Sequence, residues 1–196
     1  MPINLGLISL ANVPDINCNC TMEIDMSNNI WASLTGSKLT WKELELNVKE
    51  GNVKSDGNCG FRAIGSLMGF GDKAWHKVRK DLLKELRKES VIYELILNGK
   101  ERIQHIEYML DYFEDFPLQD RWMTIPNMGH LIASCYNGIL MTWLVHQSLT
   151  FFSYETAPLD SIYHREIIYV GFVNHNHWIK VYLEGQHPMP PLMSVD

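Results

Sequence analysis

The sequence predicts an α+β domain in which helices pack on a small, mostly antiparallel sheet. Three observations predict it. Apolar residues recur at helical spacing between Cys59 and Cys135. Short β-branched and aromatic segments follow from Ile139 to Leu183. Gly, Asn and Pro separate them, and helices first with strands last is the α+β order. The 196 residues suit one compact domain with flanking segments. We expect an irregular lead-in over residues 1–36, a domain over 37–186 and a loose tail over 187–196.

The lead-in is rich in Asn and Ser and shows no period. Leu44, Leu46 and Val48 alternate, which predicts a strand running towards a turn-rich stretch from Asn52 to Asn58. Phe61, Ile64, Leu67 and Met68 give a helix beginning at Cys59. Gly69-Phe70-Gly71 breaks it, and Asp72 reads as the cap of the next helix. That helix carries Trp75, Val78, Leu82, Leu83 and Leu86 on one stripe. Two more helical stretches run through Ile92–Ile96 and Glu101–Tyr112. Pro126 suits the first turn of a helix over Met128–Cys135, and Asn137-Gly138 marks a turn. Strands are expected over Ile139–Val145, Ser148–Tyr154, Glu166–Val173 and His177–Leu183.

Composition narrows the function. A net charge of −6 speaks against nucleic acid, because neutralising phosphates needs clustered Lys and Arg. The basic run from Lys77 to Lys88 is interrupted by Asp81 and Glu85 and reads as a solvated helix face. No apolar run reaches membrane-spanning length, so no membrane partner is expected. No basic stretch precedes the first apolar one, which speaks against a secretory signal. Four cysteines at irregular spacing, Cys18, Cys20, Cys59 and Cys135, do not make a disulfide framework. A reducing, cytoplasmic setting is expected, with export as an effector left open. Cys18 and Cys20 lack further ligands and read as free thiols, and Cys135 continues an apolar helix face and reads as core.

Cys59 is different. It stands in Asp56-Gly57-Asn58-Cys59-Gly60-Phe61-Arg62, where polar and glycine residues give little hydrophobic reason to bury it. A cysteine at a helix N-terminus meets unpaired N–H groups that favour the thiolate, which is the nucleophilic form. Backbone N–H groups of this loop, including that of Cys59, can turn towards a developing oxyanion. A base is then needed. Of eight histidines, His76, His105, His146, His164 and His187 lack supporting context, and His130 reads as helix surface. His175 and His177 are two apart, on one face of a strand if that strand is regular. No carboxylate or further cysteine is spaced to complete a metal site with them.

The seven residues from Asp56 to Arg62 match the motif of the OTU (ovarian tumour) cysteine proteases, most of which remove ubiquitin. The pattern closes with a histidine, an aromatic residue and an apolar strand, as in His177-Trp178-Ile179-Lys180-Val181-Tyr182. Trp122, ahead of the helix reaching Ala133-Ser134, is a weaker point of likeness. The resemblance covers residues 48–183 and implies a papain-like OTU fold with Cys59 as nucleophile and His177 as base, His175 being second choice. It implies backbone oxyanion donors at Gly57 and Asn58, structural roles for Phe61 and Arg62, and no metal or organic cofactor. Trp178 reads as a wall of the channel for the substrate's Gly-Gly end.

Many OTU enzymes carry Asp or Asn two residues after the histidine, whereas this chain has Ile179. In some members the Asp of the motif serves instead, which points to Asp56, with Asn174 and Asn176 as alternatives. The expected activity is hydrolysis of ubiquitin–lysine isopeptide bonds by a monomer acting on ubiquitin, polyubiquitin or a ubiquitin-like modifier. A weak or inactive OTU-like binding domain is the second reading, and another thiol enzyme with the same Cys-His pair is the third.

Overall fold

A computed structural model describes residues 24–25, 30–32, 38–40, 53–144, 148–154, 165–182 and 190–193. Cys18, Cys20, His146, His164, His187 and the alternating stretch Leu44–Val48 lie outside them.

Three short strands, β1 (Ile24–Asp25), β2 (Ile30–Ala32) and β3 (Lys38–Thr40), form an antiparallel meander in that order. Two of them fall in the stretch expected to be irregular. At two and three residues each they are too short for an alternating pattern to register in the sequence.

The helices then follow: α1 (Cys59–Leu67), α2 (Trp75–Lys88), α3 (Ser90–Ile96), α4 (Lys100–Leu110) and α5 (Gly129–Cys135). A second sheet closes the chain with β4 (Ile139–Trp143), β5 (Leu149–Phe152), β6 (Ile167–Val173) and β7 (His177–Lys180). Its order is β5-β4-β6-β7, with β4 and β6 parallel and the other two pairs antiparallel. The molecule is thus α+β, as expected.

Helix α1 is the centre of the packing. All seven residues from Cys59 to Gly65 are buried, between α2 on one side and the β6–β7 hairpin on the other. The stripe expected on α2 is the buried one. α5 lies on β4 and β5, and all five residues of β4 are buried, as befits a strand flanked on both edges. Asp72 does not cap a helix. It opens a 3-10 turn, and its carbonyl accepts Arg62 Nη1 at 3.1 Å. α5 starts at Gly129, whose N–H bonds the Pro126 carbonyl one turn earlier. His130 is not a surface residue: Nδ1 bonds the Phe152 carbonyl at 3.0 Å and the ring meets the edge of Phe151.

The C-terminal segment is also a correction, since residues 190–193 are not loose. β5 is an edge strand, and the outward groups of Thr150 need partners. Thr150 N–H bonds the Pro191 carbonyl at 2.8 Å, Met193 N–H bonds the Thr150 carbonyl at 2.9 Å, and Thr150 Oγ1 donates to the Pro190 carbonyl at 2.8 Å. Deleting residues 190–196 should cost about 3 kcal/mol, roughly one for each lost bond. The checks are a lower Tm and concentration-dependent aggregation through the uncovered edge. A truncated chain that melts with the parent would rule out the strap.

Candidate active site

The loop from Lys54 to Asn58 is built on buried polar contacts. Asp56 Oδ2 accepts Arg62 Nη2 at 2.6 Å and Nε at 3.1 Å, and Oδ1 accepts the Asn58 N–H at 3.0 Å. Both side chains are buried, with exposed Lys54 at 3.6 Å on the outer side. Burial alone would raise the Asp56 pKa, but the bonds from Arg62 and Asn58 and the cationic charges hold it below the ordinary carboxylate value.

Gly57 turns the loop at φ +81°. A Cβ there would sit 2.5 Å from Trp122 Nε1 and 2.8 Å from the Pro117 carbonyl, so only glycine fits. Asn58 is fully buried, and its Oδ1 accepts Arg79 Nε at 3.0 Å and Nη2 at 2.8 Å. Arg79 was expected on a solvated face, yet it is 0 % exposed, with its guanidinium 4.0 Å from the Phe61 ring. The signal was present in the spacing: residues 75, 78, 79, 82, 83 and 86 form one helical stripe, and Arg79 lies within it.

Cys59 opens α1 and is 3 % exposed. The backbone N–H of Trp178 points at its Sγ from 3.4 Å, so β7 delivers the residue next to His177 onto the thiol. The N–H groups of Gly60 and Cys59 also favour the thiolate, as a helix N-terminus should, but burial outweighs them and pushes the thiol above its ordinary value. Burial likewise lowers the pKa of His177, opposed by the charge of Asp56. Both shifts disfavour the thiolate–imidazolium pair relative to the neutral groups.

His177 is the first residue of β7, opposite Val173. Its Nδ1 is buried and has no hydrogen-bond partner among the described residues. None of the three candidates for the third position reaches it: Asp56 is committed to Arg62 and Asn58, while Asn174 and Asn176 are exposed in the β6–β7 turn. Asp56 acts on His177 only as a nearby charge. Ile179, which shares a strand face with His177, is buried against Trp143, Val173 and Val181. His175 has φ +59° in the turn and is exposed, so it does not share a strand face with His177.

Two further expectations change. The N–H of Asn58 is spent on Asp56 and so is not free to receive an oxyanion. Trp178 is 4 % exposed, with its ring against Phe172 and its Nε1–H on the Met123 carbonyl at 3.1 Å. Alternation along β7 turns it into the core, so it is not a channel wall. Cys135 packs against the core as expected, its thiol pushed up to about 12 by burial and the charges of Asp81 and Glu85.

With this geometry in place, the architecture can be compared with solved structures. The OTU domain of OTUD1 superposes with a TM-score of 0.50 at 14% identity, over 72% of this chain and 90% of that one. The viral OTU domain protease from Dera Ghazi Khan virus gives 0.52 at 10% identity, over 81% and 97%. No protein-family model matches the chain, and no curated protein matches it by sequence. The fold is that of the OTU domains.

Asp56→Ala should cost about 3–5 kcal/mol in urea unfolding, because Arg62 is left buried without its partner. Exposed Asn174→Ala should stay within about 0.5 kcal/mol. A carboxyl held low in the folded state stabilises fully above the ordinary carboxylate range, and that stability is lost as pH falls through the folded value. The gap between parent and Asp56→Ala should therefore close in acid. With the Cys59 thiol raised, its alkylation rate should still be climbing with pH beyond the ordinary thiol range.

Proposed function

We propose that the protein is a cysteine-dependent isopeptidase that cleaves ubiquitin from lysine side chains. The observation that carries this is the Cys59 thiol at the head of a buried helix, beneath the N–H of the residue that follows His177. The OTU fold and the complete motif from Asp56 to Arg62 support the same reading, and one of the similar structures is itself described as a protease.

In the proposed reaction His177 takes the thiol proton and Sγ attacks the carbonyl carbon of ubiquitin's C-terminal glycine. The N–H groups of Gly57 and Cys59 receive the oxyanion. The imidazolium returns its proton to the departing lysine amine, leaving a thioester on Cys59. Water, deprotonated by His177, then hydrolyses the thioester and frees the ubiquitin carboxylate. The buried site raises the cost of the charged pair, so proton transfer and attack on the carbonyl are coupled more closely than in an enzyme with a standing thiolate.

The absence of a partner for Nδ1 among the described residues favours a second reading, a weak enzyme or a domain that only binds ubiquitin. A missing tautomer anchor can cost orders of magnitude in rate.

Ubiquitin with a C-terminal thiol-reactive group separates these. An enzyme gains one ubiquitin in mass through Cys59, and Cys59→Ala gains nothing. A binding domain retains the probe without an adduct, and an unrelated thiol enzyme does neither.

Ile179→Asn tests the vacancy beside His177. Its amide oxygen should anchor Nδ1 and raise kcat by roughly tenfold or more, a fraction of the tautomer effect. Burying the amide should cost about 1–3 kcal/mol in unfolding. An unchanged or lower kcat in the folded variant would show that Nδ1 is not the limiting feature.

A further inference from the structure

One short segment outside the motif, Arg121–Met123, touches both halves of the site. The Arg121 carbonyl accepts Arg79 Nη2 at 2.9 Å, and Arg79 in turn holds Asn58. The Met123 carbonyl accepts the Trp178 indole at 3.1 Å. Between them, Trp122 lies against Gly57 and donates to the Pro117 carbonyl at 3.1 Å. The Met123 side chain covers Gly60, where a Cβ would come within 2.7 Å of it.

Arg79 is costly where it stands. Its guanidinium is buried, and its bonds go to uncharged oxygens: Asn58 Oδ1, the Arg121 carbonyl and, at 2.6 Å, the Met109 carbonyl. Burial drops its pKa to about 9. Replacing a buried charge by an apolar side chain of similar volume is often neutral or stabilising. What an apolar residue cannot do is set three oxygens at fixed distances with one planar fork. Trp178 poses the same question, since a phenylalanine would fill core space but could not tie β7 to Met123.

We infer that Arg79 and Trp178 are positioning residues that reference the nucleophile loop and the base strand to the same segment, Arg121–Met123, and thereby align Cys59 with His177. This rests on the reading of Cys59 and His177 as nucleophile and base. Arg79 fixes Asn58, the residue before Cys59, and Trp178 fixes the residue after His177. Each link is one residue from the reacting atoms, and an error of about 1 Å there can cost ~100-fold in rate.

The test uses Trp178→Phe, Arg79→Lys and the pair combined, at a temperature where each variant is folded. Turnover of ubiquitin carrying a C-terminal fluorogenic amide should show kcat down by about 10- to 100-fold with KM nearly unchanged. The double variant should be less impaired than the product of the singles, because both act through one segment. A second reading needs no ubiquitin: the factor by which His177→Ala slows alkylation of Cys59 by iodoacetamide. That factor should be large in the parent and fall towards one in each variant, and changes in access cancel from the ratio. A parent that fails to turn over ubiquitin sinks the proposed function, while the alkylation ratio still decides the positioning. Folded variants with parental kcat and a parental ratio, or with only KM altered, would overturn it. If Arg79→Lys does not fold, Trp178→Phe decides alone.

Discussion

Two buried guanidinium groups hold the loop that presents the thiol, and the rest of the site depends on them. Arg62, from within α1, neutralises Asp56 and also bonds the Asp72 carbonyl. Arg79, from α2, grips Asn58. A loop with no regular hydrogen bonding of its own is thereby tied to two helices by side chains. Such charges are tolerated in a core only when their donors are satisfied. Asp56 then does more than complete an ion pair: by accepting the Asn58 N–H it shapes the turn that leads into α1.

This arrangement sets the chemistry at rest. Burial of Cys59 outweighs the helix N-terminus, and the negative charge of Asp56 opposes the thiolate while favouring a protonated His177. Asp56 thus favours the imidazolium over the thiolate, while burial disfavours both charged forms. The ion pair forms more readily once something stabilises both products of proton transfer. A bound acyl group would do so by converting the thiolate charge into an oxyanion facing the N–H groups of the loop.

Much of this was legible in the residues. The stripe on α2, the start of α1 at Cys59 and the four late strands follow from periodicity, because each is long enough to show its period or bounded by clear turn residues. Cys59 stood out by its polar, glycine-rich setting, although the structure buries it all the same. The failures share a cause: they depend on contacts between distant parts of the chain. Residues 190–193 look like a tail until β5 offers an unpaired edge. Trp178 looks like a channel wall until strand alternation turns it inward. Arg79 looks solvated if the basic run is read by charge alone, although its place in the apolar stripe says otherwise. The parallel pairing of β4 with β6 is a matter of connection geometry, which local pattern does not encode.

The partner expected for His177 is a different kind of case: the departure at Ile179 was visible in the sequence, but the substitute it pointed to, Asp56, does not reach the ring. Ile179 replaces the polar residue often found two places after the histidine, and among the described residues His177 Nδ1 has no partner. The expected substitute, Asp56, cannot be borrowed cheaply: each hydrogen bond it accepted from His177 would displace one from Arg62 or Asn58, and both of those hold the loop. The histidine must therefore be oriented by its backbone. β7 does this through its pairing with β6 and through the Trp178 indole on the Met123 carbonyl. A base positioned by its strand can be well placed yet wrong in tautomer, since the strand sets where the ring sits and not which nitrogen carries the proton. Placement and tautomer are thus controlled separately, and among the described residues only placement has a device.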